Sequence, residues 1–235
     1  GSTTSNTAGE VAQLQLELTK LGFDPEQINE STEAINQLSI AFDHDLAESA
    51  VLVAGTLNGF NLEASESTRV ANVFAKAAAT SALDMTKIGV AMAAVAPAAD
   101  AVNISLEATT AIVGKLADQN IDASTAGTGL RNLLLEMASG SSKLSKALGG
   151  TVNNQEEFFD ALESLADQGI DTAEALIETG EATGALGLVA ELTGKRGSSI
   201  GEMNYLLTAA LQNEAGDNPT DYQEYYLRAE LGILK

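Results

Sequence analysis

The sequence predicts an all-α protein in which many short helices pack as antiparallel hairpins. Apolar residues recur at steps of three and four along most of the 235 residues, as they do on one face of a helix. No segment alternates between apolar and polar residues in the manner of a half-buried strand. A short corner sequence also recurs along the chain, and it is suited to end one helix and begin the next.

The corner sequence has three parts: Gly or Asn, then an apolar residue, then Asp or Ser. Gly and Asn tolerate the left-handed backbone conformation that ends many helices, and the apolar residue folds back onto the last turn. The side chain of Asp or Ser then accepts hydrogen bonds from the free N–H groups of the next helix. The corner occurs at Gly22-Phe23-Asp24, Asn103-Ile104-Ser105, Asn120-Ile121-Asp122 and Gly169-Ile170-Asp171, and in a looser form at Gly59-Phe60-Asn61.

Helix starts are predicted at Asp24, which precedes Pro25, and at Asp45 and Asp84. The apolar spacing between such starts and the corners then gives the extent of each helix. The predicted helices span 9–21, 25–42, 45–59, 63–79, 84–102, 105–119, 123–148, 154–168, 171–180, 183–193, 199–213 and 219–231.

A weak internal repeat with a spacing of about 60 residues supports the hairpin arrangement. Duplication of a helical unit and convergence of similar helix corners both account for this repeat. The matching positions are Ala41, Leu46, Val53 and Ala64-Ser65 in the first copy, and Ala101, Leu106, Val113 and Ala123-Ser124 in the second.

The domain organisation follows from changes in composition. Residues 1–8 read as a tag remnant and a disordered polar tail. Residues 9–150 form the main helical core. Residues 139–155 are rich in Gly, Ser and Asn, so we expect a subdomain boundary near 150 and a C-terminal helical subdomain over 151–235.

The net charge of −21 argues against nucleic-acid binding and against docking on anionic membranes. Residues 10–64 carry ten Asp or Glu residues and a single base, Lys20. This surface is either a solvated acidic face or a charge-selective interaction face. The chain has no Cys, and its most apolar run, 88–102, is too short to span a bilayer.

Candidate reactive groups are few. His44 lies between Asp43 and Asp45 and has no second imidazole or thiol to act with it, so we interpret the two acids as helix caps. The segment Ala126–Arg131 contains Gly-Thr-Gly but lacks the third glycine and the preceding strand of a dinucleotide site. Closely packed helices explain its glycines better.

Three further groups have ordinary structural interpretations. Glu156-Glu157 is one of many acidic pairs, and Lys195-Arg196 is interpreted as a surface turn. The tyrosines 222, 225 and 226 lie on one face of a predicted helix and either close the core or dock on a partner helix. We therefore expect no catalytic, cofactor-binding or metal-binding residue, no cofactor and no enzymatic activity.

Seven motifs stand in order along the first half of the chain: Val53–Phe60, Leu62–Ser65, Arg69–Ala75, Ser81–Met85, Val95–Ala99, Ser105–Ala111 and Ala126–Arg131. This series resembles the conserved core of phage tail tape measure proteins. The resemblance covers residues 20–135 well and 136–212 loosely, with Gly194–Gly197 similar to a later landmark. Ala94 replaces an aromatic residue that is common in the family, and residues 139–155 fit poorly.

The resemblance implies a structural protein inside the tail tube that sets tail length during assembly and exits through the tail at genome delivery. It implies tail tube, tail tip or baseplate and assembly chaperone proteins as partners, with self-association, and it places the protein in the virion tail and, during assembly, in the bacterial cytoplasm. The coiled-coil extension that serves as the ruler is not found here, so we expect an excised conserved domain. The alternative is a non-enzymatic helical module that binds a basic protein partner.

Overall fold

The computed structural model describes residues 6–167, and these form nine α-helices, one 3-10 turn and no strand. The predicted all-α class is confirmed. The helices predicted beyond residue 168 lie outside the described residues. The elements are α1 (Ala8–Lys20), α2 (Pro25–Phe42), α3 (Leu46–Gly59), a 3-10 turn (Ala64–Glu66), α4 (Ser67–Thr80), α5 (Met85–Ala101), α6 (Leu106–Asp118), α7 (Ala123–Ala138), α8 (Lys143–Ala147) and α9 (Gln155–Asp167).

The first seven helices pack in two layers. Helices α1, α3, α5 and α7 lie side by side in one layer, which we call the odd layer. Helices α2, α4 and α6 lie side by side in the other, the even layer, and each helix also contacts the helix before and after it. Successive helices therefore form hairpins that stack next to one another, which confirms the predicted packing.

The predicted corners have the expected backbone. Gly22, Asn103 and Asn120 have φ angles of 92°, 53° and 61°, in the left-handed region. At each corner the N–H of the following apolar residue donates to the carbonyl five residues back, at 2.9–3.1 Å. This bond satisfies a carbonyl at the helix end, which would otherwise lack a partner. The corner predicted at Gly169 lies outside the described residues.

The looser corner was assigned wrongly at one position. The left-handed residue there is Asn61, with a φ of 49°, and not Gly59. Gly59 is the last residue of α3, and a Cβ at this position would lie 2.8 Å from the Cβ of Ala96 on α5. The glycine is therefore explained by a close helix approach. Asp43 forms a further left-handed corner, with a φ of 48°, that the pattern did not include.

The single helix predicted over 123–148 was wrong, because α7 ends at Ala138 and the short α8 begins at Lys143. Ser142 explains the break. Its Oγ accepts from the N–H of Ser145 at 2.9 Å and donates to the carbonyl of Glu136 at 2.6 Å. Serine hydroxyls compete with helical hydrogen bonds in this way, so the Ser139–Ser142 run ends one helix and begins another.

The core is continuous and consists largely of small and aliphatic side chains. Every residue of α6 from Leu106 to Gly114 is buried, which makes it the most continuously buried of the described helices. Phe158 and Leu162 of α9 belong to the same buried cluster as the residues of α1–α7. The domain boundary expected near residue 150 stays a prediction.

Candidate functional surface

An open groove lies between α3 and α5 on the odd layer. The two helices come together at Gly59 and Ala96, near their C-terminal ends. Toward their N-terminal ends they leave a groove of about 420 Å³ between them. We call this the α3–α5 groove.

The lining of the α3–α5 groove is mainly apolar, with His44, Glu48, Thr56 and Thr86 as its polar members. Leu52 and Met92 are buried within it, whereas Val51 and Val90 are 48% and 45% exposed. Gly55 lies in the same lining, and nothing lies within 4 Å of a Cβ built on it. The groove therefore has room for a side chain supplied from outside.

Exposed apolar side chains are concentrated on the odd layer. Five large apolar side chains are exposed among the described residues, and four of them belong to α1, α3, α5 and α7, one on each helix. Two of them, Val51 and Val90, line the same groove, and exposed apolar side chains that adjoin in this way often mark an interaction site. These four residues are Leu16, Val51, Val90 and Leu135.

His44 lies at the open end of the groove, in the corner between α2 and α3. Its Nδ1 is 3.0 Å from the Oγ of Ser49, and its Nε2 is 3.5 Å from Oε2 of Glu48. Asp45 caps α3 by accepting from the N–H of Glu48 at 2.9 Å, as predicted, and Asp43 is the left-handed corner residue. Within residues 6–167 no group of three or more His, Asp or Glu side chains is arranged to hold a metal ion.

The Gly-Thr-Gly segment lies in α7, where it allows a close helix crossing. A Cβ on Gly127 would lie 2.6 Å from the carbonyl oxygen and 2.8 Å from the Cα of Ala91 on α5. Real Cβ atoms do not approach backbone this closely, so only glycine fits without movement of a helix. The predicted interpretation of this segment, glycine where two helices approach, is confirmed.

An ion pair that sequence reasoning missed joins α4 to α6. Arg69 donates from Nε and Nη2 to the two carboxylate oxygens of Glu107, at 2.7 and 2.9 Å, and from Nη1 to Glu66 at 2.8 Å. The Glu107 side chain is 7% exposed. The hydrogen bonds that Arg69 donates to Glu107 raise the pKa of Arg69, so the guanidinium stays charged. The partners are 38 residues apart, and no local signal could have paired them.

The remaining candidate residues that the structure describes are not arranged as a reactive site. Glu157 accepts from the backbone N–H of Asn153 at 2.7 Å, at the start of α9, and Glu156 beside it is exposed. Lys195-Arg196 and the three tyrosines lie outside the described residues. No helix in the described part of the chain has both the length and the apolar character needed to cross a membrane.

The sequence is similar to known phage proteins. A stretch of 148 residues is 35% identical to the tape measure protein of Pneumococcus phage Dp-1 and covers 63% of this chain and 13% of that relative. A stretch of the same length is 29% identical to the probable tape measure protein of Escherichia phage P2 and covers 18% of it. The chain thus spans less than a fifth of the length of either relative. No solved structure matches it at a significant level.

These similarities confirm the resemblance that the seven motifs indicated. The sequence profile of a family described as phage-related minor tail protein matches residues 1–153, which include every helix from α1 to α8. A match over more than half of the chain settles its family. The chain belongs to the phage-related minor tail protein family.

Proposed function

We propose that this chain is a folded segment of a phage or prophage tape measure protein, the structural component that sets tail length during tail assembly and exits through the tail at genome delivery. The observation that carries the proposal is the family match across α1–α8, together with relatives that are named tape measure proteins. The segment acts by binding other proteins and has no enzymatic activity, catalytic residue or cofactor of its own.

The two-layer packing indicates which part of the task this segment performs. A single helix of 162 residues would be about 240 Å long at 1.5 Å per residue. The longest helix among the described residues has 18 residues, or about 27 Å, and its neighbours stack beside it. Because a stack of hairpins spans little length per residue, we assign the ruler to the remainder of the longer protein and an assembly role to this segment.

The proposed partners are the tail tube, tail tip or baseplate and assembly chaperone proteins, with self-association in the tube lumen. The acidic surface and the absence of basic clusters among residues 21–68 fit protein partners better than nucleic acid. The protein would meet these partners first in the cytoplasm of the infected bacterium and then in the virion tail.

In-frame deletion of residues 6–167 in a phage that encodes this chain tests the proposal, with tail length and number measured by electron microscopy. We expect few or no tails, and any that form should have the parental length. Tails about 240 Å shorter would show instead that this segment is itself the ruler in extended form. Normal numbers of tails with normal length would overturn the assembly role.

The alternative, a helical module that binds a basic protein outside tail assembly, is favoured by one observation, the ten acids against a single base in residues 10–64. It predicts that the deletion leaves tails unchanged. It also predicts salt-sensitive capture of a basic cytosolic protein by the wild-type chain.

A further inference from the structure

We propose that the α3–α5 groove binds one amphipathic helix of a partner protein, with the apolar face of that helix in the groove and its basic end against the acidic corner between α2 and α3. This inference rests on the proposed assembly role only for the source of the helix. Binding to the groove and tail formation are measured separately, so either can fail alone.

The apolar half of the argument is the shape and lining of the groove. The helices that form it are held together at one end by the contact between Gly59 and Ala96. At the other end, Val51 and Val90 are exposed on opposite sides of an opening whose lining includes Gly55 and Gly89. A large apolar side chain of an incoming helix fits this space, as in helix-in-groove recognition.

The electrostatic half of the argument is the charge at the open end. Asp45 and Asp84 cap α3 and α5, so the positive ends of those helices partly offset their charges. Asp43 is not a helix cap of this kind and is exposed, and the side chain of Glu48 is 73% exposed. Lys87, which follows the groove residue Thr86 in sequence, donates to the carbonyl of Ala82 at 2.8 Å and pairs with Asp84 at 3.4 Å.

The sequence around this corner reinforces the negative charge. No Lys or Arg occurs between residues 21 and 68. A helix with Lys or Arg at the end that meets the corner would therefore be attracted to the groove and held in one register.

The same charge disfavours the two other occupants. A second copy would bring another chain with a net charge of −21 to the same acidic corner. Residues 168–235 of this chain carry eleven Asp or Glu residues and four Lys or Arg residues, so they too are acidic on balance. A basic amphipathic helix of another protein is the complementary occupant.

The experiment uses the full chain without substitution in the groove lining, and the fluorescent label is attached to the peptide. The probe is a synthetic helical peptide of about 18 residues with Leu at steps of three and four and with Lys at one end. The matched peptide has Glu in place of each Lys.

One matched pair of variants tests the groove, and a third variant tests the corner. Gly55→Leu fills the groove, whereas Gly9→Leu adds the same side chain on α1, where the nearest atom to a Cβ is 3.9 Å away. Neither glycine has a positive φ or a close neighbour, so both variants should fold. Glu48→Lys offsets the charge of Asp43 at the corner and should remove most of the preference for the Lys-ended peptide.

We expect binding of the Lys-ended peptide to shift the emission of its label, with an affinity at least about tenfold higher than that of the Glu-ended peptide at low salt. Gly55→Leu should weaken binding by about tenfold or more, and Gly9→Leu should leave it unchanged. With Glu48→Lys, the affinities of the two peptides should become nearly equal.

Several results would overturn the proposal. Equal binding of both peptides to the wild-type chain would show that the acidic corner does not contribute to recognition. Binding that Gly55→Leu does not change would show that the peptide does not occupy the groove. Failure of the Lys-ended peptide to bind the wild-type chain would also overturn the proposal. Concentration-dependent dimerisation that Gly55→Leu abolishes would assign it to a second copy.

Discussion

At the scale of single residues, glycine has three distinct roles in this chain. Gly22 ends α1 in a conformation with a φ of 92°, which side chains rarely adopt. Gly127 allows α7 to approach the backbone of α5, and Gly55 faces open space in the groove. The sequence alone does not distinguish these roles, because the residue type is the same in each case and the roles differ only in what lies next to the glycine in the fold.

Substitution of Gly127 by Ala should destabilise the protein by about 1–3 kcal/mol. The new Cβ would meet the backbone of Ala91 at 2.6–2.8 Å, and this overpacking outweighs the gain of up to about 1 kcal/mol from better helix propensity. Chemical denaturation measures the change. Gly55→Ala is the matched control and should stabilise by about 0.5–1 kcal/mol, because its Cβ meets nothing. Equal effects at the two positions would contradict the close crossing.

Residue patterns predicted the corners well and their exact residues less well. Asn103 and Asn120 occupy the left-handed positions that the corner sequence assigns to them. The pattern failed at Gly59, because a helix end that is followed by Asn61 offers two residues that tolerate a positive φ. The choice between them depended on Ala96, which is far away in sequence.

At the scale of helices, the internal repeat now has a structural counterpart. Helices α2 and α5 begin at residues 25 and 85, and α3 and α6 begin at residues 46 and 106, a constant offset of 60. The left-handed residues Asp43 and Asn103 have the same offset, and Asn61 and Asn120 differ by 59 because of one gap. The units α2–α4 and α5–α7 therefore share their corner positions, which favours duplication of a three-helix unit over convergence at single corners.

The ion pair between α4 and α6 gives a prediction for these elements. Glu107→Gln should destabilise the protein by about 1–3 kcal/mol, since it weakens a charged hydrogen-bond pair at a buried carboxylate. The matched variant Glu66→Gln removes the more exposed partner of the same arginine and should cost about 0–1 kcal/mol. Thermal or urea unfolding compares them, and a larger loss for Glu66→Gln would refute the assignment.

The start of α1 should respond to acid. Glu10 accepts from the N–H and hydroxyl of Thr7 at 2.6 and 2.7 Å, and these bonds lower the pKa of Glu10 below its ordinary value of 4.5. A lowered pKa in the folded state means that the cap stabilises α1 above about pH 4.5 and is lost as the pH falls through the lowered value. The protection of α1 amides against exchange, relative to the rate of the unfolded chain at the same pH, should therefore fall below pH 4.5.

Glu10→Gln provides the control for this effect. The amide side chain of glutamine does not titrate, so the acid-dependent fall in the amide protection of α1 should be absent from this variant. A fall of the same size in the variant would show that another group is responsible.

At the scale of the whole molecule, composition and periodicity were enough to predict the all-α class and the hairpin packing. They were not enough to find the α3–α5 groove, because its lining comes from two helices whose separation depends on the contact between Gly59 and Ala96. The ion pair of Arg69 and Glu107 escaped for the same reason, since its partners meet only after α4 and α6 have packed.

Substitution of Phe158 by Ala tests how α9 belongs to the fold. The ring is fully buried in the common core, so its loss should cost about 3–5 kcal/mol. The neighbouring Phe159 is only partly buried, and Phe159→Ala should cost less. We expect Phe158→Ala to lower the unfolding midpoint of the same transition that reports on α1–α7. An unchanged midpoint, with a separate transition for residues 151–235, would support an independent subdomain that begins near 150.

The two-layer arrangement has a mechanical consequence. Each helix from α1 to α7 contacts mainly helices that are adjacent or next-but-one in sequence, so a tensile load applied at α1 acts first on the hairpin of α1 and α2. Once that hairpin has detached, the next one carries the same load, so we expect these helices to detach in small steps. Helix α6, buried from Leu106 to Gly114, should detach late, so the order of the helices in the stack sets the order of extraction.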